Sequence, residues 1–209
     1  TAYEISLGLV GAEMCIRDSH IAYSTNREGT KFGNALSFDG SDDYVEVADS
    51  TELNPDVFTV AGWVHPILPH GGSYTNAVIN KAVYAAPPDG KGWYVRFYGT
   101  DSLSLTFGVY FDDAEVQTSY AITEDWHHFA AVYDGTNVML YVDGELKVSK
   151  AGGTTYQKPT GVNLRLGKAG AYHGLIDEVR IYNRALSEAE IKALYLAGAN
   201  RLAAGTYEY

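Results

Sequence analysis

Between residues 57 and 111 the chain keeps a two-residue alternation of apolar and polar positions. In "VFTVAGWVHP" (57–66) Phe58, Val60, Gly62 and Val64 fall on one side, and Thr59, Ala61, Trp63 and His65 on the other. "GWYVRFYG" (92–99) sets Trp93, Val95 and Phe97 against Tyr94, Arg96 and Tyr98, and "LSLTFGVYF" (103–111) gathers Leu103, Leu105, Phe107, Val109 and Phe111. Successive side chains of a strand point to opposite sides, so this pattern predicts strands with one buried face. Shorter runs, "NALSFDG" (34–40) and "DYVEV" (43–47), meet at a Gly-Ser-Asp turn. "WHHFAAVYDGTNVMLYVDGELKV" (126–148) divides into three strands at "DGTN" and "DG", residues that tolerate the positive φ of tight hairpins. "VNLRLG" (162–167) and "GLIDEVRIYNRAL" (174–186) add the last strands, while the Gly-, Pro- and Tyr-rich segment 66–92 is expected to be largely loop. One segment is helical, 187–198: Ser187 caps it, Glu190 completes a Ser-x-x-Glu capping box, and Gly198 stands where a C-terminal cap belongs. The sum is an all-β, two-sheet antiparallel jelly-roll sandwich with one short C-terminal helix, in a single domain.

Charge narrows the partners. A net charge of −11 repels phosphate backbones and anionic bilayers, so neither nucleic acid nor membrane is an expected partner. The sequence has no apolar run of about 18 residues that could cross a bilayer. Tyrosine is abundant, with 17 copies, which suits both strands and wet binding surfaces.

Four blocks, "GNALSFDGSDDYVEV", "FTVAGWV", "WHHFAAVYDGTNVMLYVDGEL" and "GLIDEVRIYNRALSEAEI", together resemble the LamG-like jelly-roll domain of the concanavalin A-like lectin/glucanase superfamily. The resemblance runs over residues 20–200 and leaves 201–209 as a tail. It implies the sandwich fold but no single function, because the scaffold carries lectins, adhesion modules, glycoside hydrolases and lyases. Upstream, residues 1–19 match nothing in the family. Residues 10–19, "VGAEMCIRDS", resemble a translated sequencing-adapter peptide of the kind found in metagenomic assemblies. They are expected to be a non-native leader, in which case the chain's one cysteine, Cys15, says nothing about redox compartment.

Candidate chemistry falls in two places. Asp39, Asp42 and Asp43 crowd a turn, and Asp177 lies in the late "IDEV" run; the resemblance implies that the two regions approach and that Asp39, Asp42 and Asp177 share a structural Ca²⁺, an ion that favours six to eight oxygens. The bland alternative is that the turn aspartates bond their own backbone and Asp177 pairs with Arg180 or Arg184. The second place is the polar face Tyr94, Arg96 and Tyr98. Aromatic rings stack on the apolar faces of sugars, and Arg donates directional bonds or pairs with uronate carboxylates. Trp93, Tyr110, Tyr172 and His173 are expected to join that site, with Trp63, His65 and Tyr74 nearby.

No closely spaced Glu-x-Asp-x-x-Glu run of a jelly-roll glycoside hydrolase occurs. His127 and His128 are adjacent, so on a strand they cannot chelate one ion together. The expected function is a non-catalytic carbohydrate-binding or adhesion module for a polysaccharide or glycan. It would be flanked by other domains in an extracellular or cell-surface protein of bacterial or phage origin. The alternative is a polysaccharide lyase or glycoside hydrolase acting on a uronic or neutral glycan, with Tyr94, Arg96, Tyr98 and His65 as its catalytic set.

Overall fold

The computed structural model describes residues 4–6, 14–17, 35–70, 76–167 and 172–204. Their fourteen strands are β1 (Glu4–Ser6), β2 (Met14–Arg17), β3 (Leu36–Asp39), β4 (Tyr44–Val47), β5 (Phe58–Pro66), β6 (Asn76–Val83), β7 (Lys91–Phe97), β8 (Ser104–Tyr110), β9 (Glu115–Ala121), β10 (His127–Tyr133), β11 (Asn137–Val142), β12 (Glu145–Ala151), β13 (Leu164–Leu166) and β14 (His173–Tyr182). One helix, α1 (Glu188–Ala204), follows.

The first sheet runs β1-β14-β5-β10-β11-β12, with β3 also paired to β14; the second runs β2-β4-β13-β6-β7-β8-β9. All pairings are antiparallel. The alternation read from the sequence sets the core. Phe58, Val60 and Val64 of the first sheet meet Trp93, Val95, Phe97, Leu105, Phe107 and Val109 of the second, all at most 1% exposed. This is the two-sheet sandwich expected from the strand periodicity.

Two strands escaped the pattern. β6 lies within the stretch expected to be loop, and β9 follows the "DDAE" turn. In β6 the inner-face register opposite Trp93 is held by Lys81, and a register shift between Ala77 and Ile79 breaks the period. β9 shows no alternation of burial: Glu115, Val116 and Gln117 are partly buried, Thr118 is fully buried, and Ser119, Tyr120 and Ala121 are exposed.

The outer face of the first sheet is buried too. Ala61, Ala130, Val132, Tyr141 and Tyr182 form a second small core with Leu186 and with Ile191 of α1. The expected capping box holds the start of this helix: the Ser187 N–H and hydroxyl both donate to Glu190 Oε2, each at 2.8 Å. Arg184 adds a fork onto the same carboxylate at 3.0 and 2.7 Å, and this arginine together with Ser187 holds Glu190 down to about 2. The helix does not stop at Gly198 but continues to Ala204. A Cβ on residue 198 would lie 2.6 Å from the Trp63 indole, so the glycine is there to admit that ring. Among the described residues, no helix is long and apolar enough to cross a membrane.

β1 and β2 belong to the segment set apart as a leader. They pair with β14 and β4 respectively, and β2 is an edge strand.

Candidate functional site

Because Trp93, Val95 and Phe97 point inward, β7 must turn Tyr94 and Arg96 to the outside of the second sheet. Antiparallel register then places Asn80 of β6 and Gly108 of β8 on either side of Tyr94, and Ala77 and Thr106 on either side of Arg96. Gly108 gives the site its shape: a Cβ there would sit 2.1 Å from Tyr94 Cζ, so only a bare backbone lets the ring lie across β8. Lying there, Tyr94 reaches β9, and its hydroxyl donates to Glu115 Oε1 at 2.6 Å. Burial, partly offset by the nearby Arg96 charge, pushes the Tyr94 hydroxyl well above its ordinary value, and the bond to Glu115 adds to the rise.

Arg96 folds back over this ring. Its guanidinium carbon is 4.1 Å from the Tyr94 centroid, 5.4 Å from that of Tyr98 and 5.7 Å from that of Tyr84. Tyr84 packs on Tyr94 at 5.5 Å, and Tyr110 meets Tyr94 edge-on at 6.1 Å. Exposure divides the cluster: Tyr94, Tyr110 and Arg96 are buried, whereas Tyr84 is 37% and Tyr98 54% exposed. Two aromatic rings therefore face solvent beside a buried cation. Next to them the face is polar, with Thr106 and Ser119 hydroxyls 2.9 Å apart and Arg165 bonded to Glu46 at 2.5 Å. The Asn80 Oδ1 atom is buried without a hydrogen-bond partner.

Of the residues expected to form this site, Tyr94, Arg96, Tyr98 and Tyr110 do share it. Trp93 and Tyr172 do not. Trp93 keeps the face of Val95 and Phe97 and is a core side chain, 1% exposed. Tyr172 is equally buried, packed on Phe38 and Phe97, with its hydroxyl 3.1 Å from the His65 carbonyl and 3.2 Å from that of Leu175. Burial pushes its hydroxyl far up from the ordinary value. His173 opens β14 in the other sheet, where its Nδ1 lies 3.1 Å from the Pro69 carbonyl. Trp63 and His65 lie on the outward face of β5, on the opposite side of the sandwich from Tyr94; His65 packs against Trp126. The set Tyr94, Arg96, Tyr98 and His65 is thus not brought together, because its members sit on the outer faces of different sheets. Tyr74 lies outside the described residues. Tyr84 and Glu115 were missed because Tyr84 directly follows β6 and Glu115 opens β9, the two strands that periodicity does not reveal.

The aspartates separate as well. Carboxylate oxygens of Asp39, Asp42 and Asp43 lie within 4.8 Å of one another. Part of that convergence is local turn bonding, since Asp43 Oδ2 accepts from the Asp39 N–H at 3.0 Å and Asp39 Oδ1 from the Ser41 N–H at 2.8 Å. Asp177 is not in the group. Register pairs Asp39 with His173 and Asp177 with Trp63, four residues further along β14. Nor does Arg184 pair with Asp177, being held by Glu190.

Comparison with solved structures returns sandwiches of the same fold. The binding domain of Paraclostridial Mosquitocidal Protein 1 superposes with a TM-score of 0.69 at 13% identity over 89% of this chain and 47% of that one. Domain 4 of AbnA, a GH43 extracellular arabinanase from Geobacillus stearothermophilus solved with arabinotriose, gives 0.62 at 22% identity over 85% and 82%. The binding domain of botulinum neurotoxin DC in complex with SialylT gives 0.62 at 13% identity over 94% and 47%. The chain therefore spans about half the length of the toxin domains it matches. A comparison with curated proteins returns no match. A family model does match, over residues 39–192, and by that match the chain belongs to the concanavalin A-like lectin/glucanases superfamily.

Proposed function

We propose that this protein is a non-catalytic carbohydrate-binding module of a larger extracellular protein, and that it holds a polysaccharide across the outer face of the second sheet. The observation that carries this is the pair of exposed rings, Tyr84 and Tyr98, set beside the buried Arg96 on a polar sheet face. Pyranose and furanose rings present apolar C–H faces that stack on tyrosine, while their hydroxyls need the polar groups that surround it. The arabinanase domain solved with arabinotriose supports the reading, since this chain spans 82% of that domain. Binding is favoured over the lyase alternative because the one histidine of the suggested catalytic set is on the opposite side of the sandwich, and because the Tyr94 hydroxyl is already given to Glu115.

Incubation with a panel of neutral and acidic polysaccharides tests this, with retention and release of new chain ends measured together. Retention without chain ends is expected. Tyr98→Ala and Tyr84→Ala are each expected to weaken retention about tenfold, the value of one stacking contact. Cleavage of any polymer, or retention indifferent to both substitutions, overturns the reading.

Calcium belongs to the same proposal as a structural ion at the Asp39–Asp43 turn. Three carboxylates converging at one turn form the all-oxygen donor set that a hard cation selects, and their mutual repulsion is relieved by it. Adding calcium to chelator-treated protein is expected to raise the melting temperature. An unchanged melting temperature leaves only the turn bonds.

A further inference from the structure

Arg96 is the charged group of the site that its own surroundings do not pair. The side chain is only 6% exposed, and its Nε is buried with no hydrogen-bond partner. The ion pairs of the neighbouring face are made by other residues: Arg165 takes Glu46, while the Glu115 carboxylate accepts from the Tyr94 hydroxyl. What Arg96 has is three tyrosine rings within 5.7 Å. Cation–π contacts recover part of the cost of burying a charge, but they leave the planar N–H fork without acceptors. A buried charge of this kind is ordinarily paired.

Resting on the carbohydrate-binding reading, we infer that Arg96 is the receptor for the carboxylate of an acidic sugar, so that the module selects uronic-acid-type glycans over neutral ones. The guanidinium fork matches a carboxylate with two parallel N–H···O bonds, a match that lysine or an amide does not provide. The placement also fits. Tyr84 and Tyr98 are exposed rings whose centroids lie 5.7 and 5.4 Å from the cation, so a sugar stacked on one of them carries its substituents into reach of the fork. Selectivity follows from what happens to each ligand. A neutral sugar leaves the buried cation unpaired, whereas an acidic one neutralises it in a site largely shielded from water. The net charge of −11 sharpens the inference, because the protein as a whole repels polyanions. Retention on a polyuronate thus needs a specific cationic site rather than general stickiness.

The full chain is to be run on polygalacturonate, on the same polymer methyl-esterified, on a sulfated polysaccharide and on neutral arabinan, with melting temperatures recorded in parallel. Polygalacturonate is expected to retain the protein at least about tenfold more strongly than its ester, the value of one charge-assisted bidentate contact. Arg96→Met is expected to abolish that preference while leaving the melting temperature unchanged or raised, since it removes an unpaired buried charge and keeps the packing on Tyr94. Arg96→Lys, which retains charge without the fork, is expected to recover only part of the preference. Equal retention on acid and ester, with Arg96→Met behaving like the wild type, overturns the inference and leaves the carbohydrate reading in place. Stronger retention on the sulfated polymer than on polygalacturonate overturns the carboxylate assignment. No retention on any of the four overturns both readings together.

Discussion

Replacing Asp49 by Asn is expected to cost about 3 kcal/mol of stability, a fall of roughly 10 °C in melting temperature for a domain of this size. The reason is Lys81, whose side chain is wholly buried on the inner-face register of β6. Its ammonium is held by Asp49 Oδ1 at 2.5 Å, by the Pro159 carbonyl at 3.3 Å and by the Val162 carbonyl. Burial holds Lys81 below its ordinary value, and Asp49 is the group that opposes this and keeps the cation in place. Asp49 in turn accepts from the Gly161 N–H at 2.7 Å and from Asn54 Nδ2 at 2.9 Å. One carboxylate therefore ties β6, the segment after β4 and the 159–163 segment together. Although burial alone would raise it, Lys81, the Gly161 N–H and Asn54 hold Asp49 down at about 2 against an ordinary 3.8. A depressed carboxylate contributes stability that is complete above its unfolded value. In the wild type about 2 kcal/mol should accordingly be lost as pH falls from 3.8 towards 2, and the Asp49→Asn variant should lack that part of the acid dependence. Urea unfolding across this range measures both. Adding Lys81→Met to Asp49→Asn is expected to recover much of the loss, because the pair is then replaced by an apolar side chain rather than broken. A single variant within 1 kcal/mol of wild type would mean that the two carbonyls alone satisfy the ammonium.

The same lysine explains where sequence and structure part company. Strands β7 and β8 were legible because Trp93, Val95 and Phe97, and Leu105, Phe107 and Val109, fill successive inner positions, while Arg96, Thr106 and Gly108 fall between them. β6 was not, because a cation occupies an inner position and is held by a carboxylate 32 positions away and by carbonyls about 80 positions away, which no local pattern can show. Gly198 carries the features of a helix cap, yet the Trp63 ring decides its role, and that contact crosses from β5 to α1. At the site, alternation alone placed Tyr94 and Arg96 outward, and it also placed Trp93 inward with Val95 and Phe97. Counting Trp93 as a ligand contact set residue type above register. Tyr84 and Glu115 depended on register between strands, as did the separation of Asp39 from Asp177 along β14. Period reports which face a side chain takes; it does not report which strand lies beside it.

Trp63→Ala is expected to cost about 3–5 kcal/mol while leaving glycan retention by the folded protein unchanged. Trp63 is an aromatic residue on an outward strand face, the description that suits a sugar platform, but its surface is taken by α1. The indole is 1% exposed, 5.3 Å from the His128 ring, 5.8 Å from that of Tyr195, and pressed on the helix backbone at Gly198. Removing it empties the junction between helix and first sheet, on the side of the sandwich away from Tyr94 and Arg96. A fall in retention greater than the fall in folded protein would return Trp63 to the site. The packing account makes a sharper claim about the partner position. In the wild type, Gly198→Ala sets a methyl 2.6 Å from the indole and should destabilise. In the Trp63→Ala background that obstruction is gone, and the same substitution should become neutral or stabilising by up to about 1 kcal/mol, since alanine is the better helix former. The two changes are therefore expected to be strongly non-additive. Equal costs for Gly198→Ala in both backgrounds would show that the glycine serves the helix for some other reason than the ring it meets.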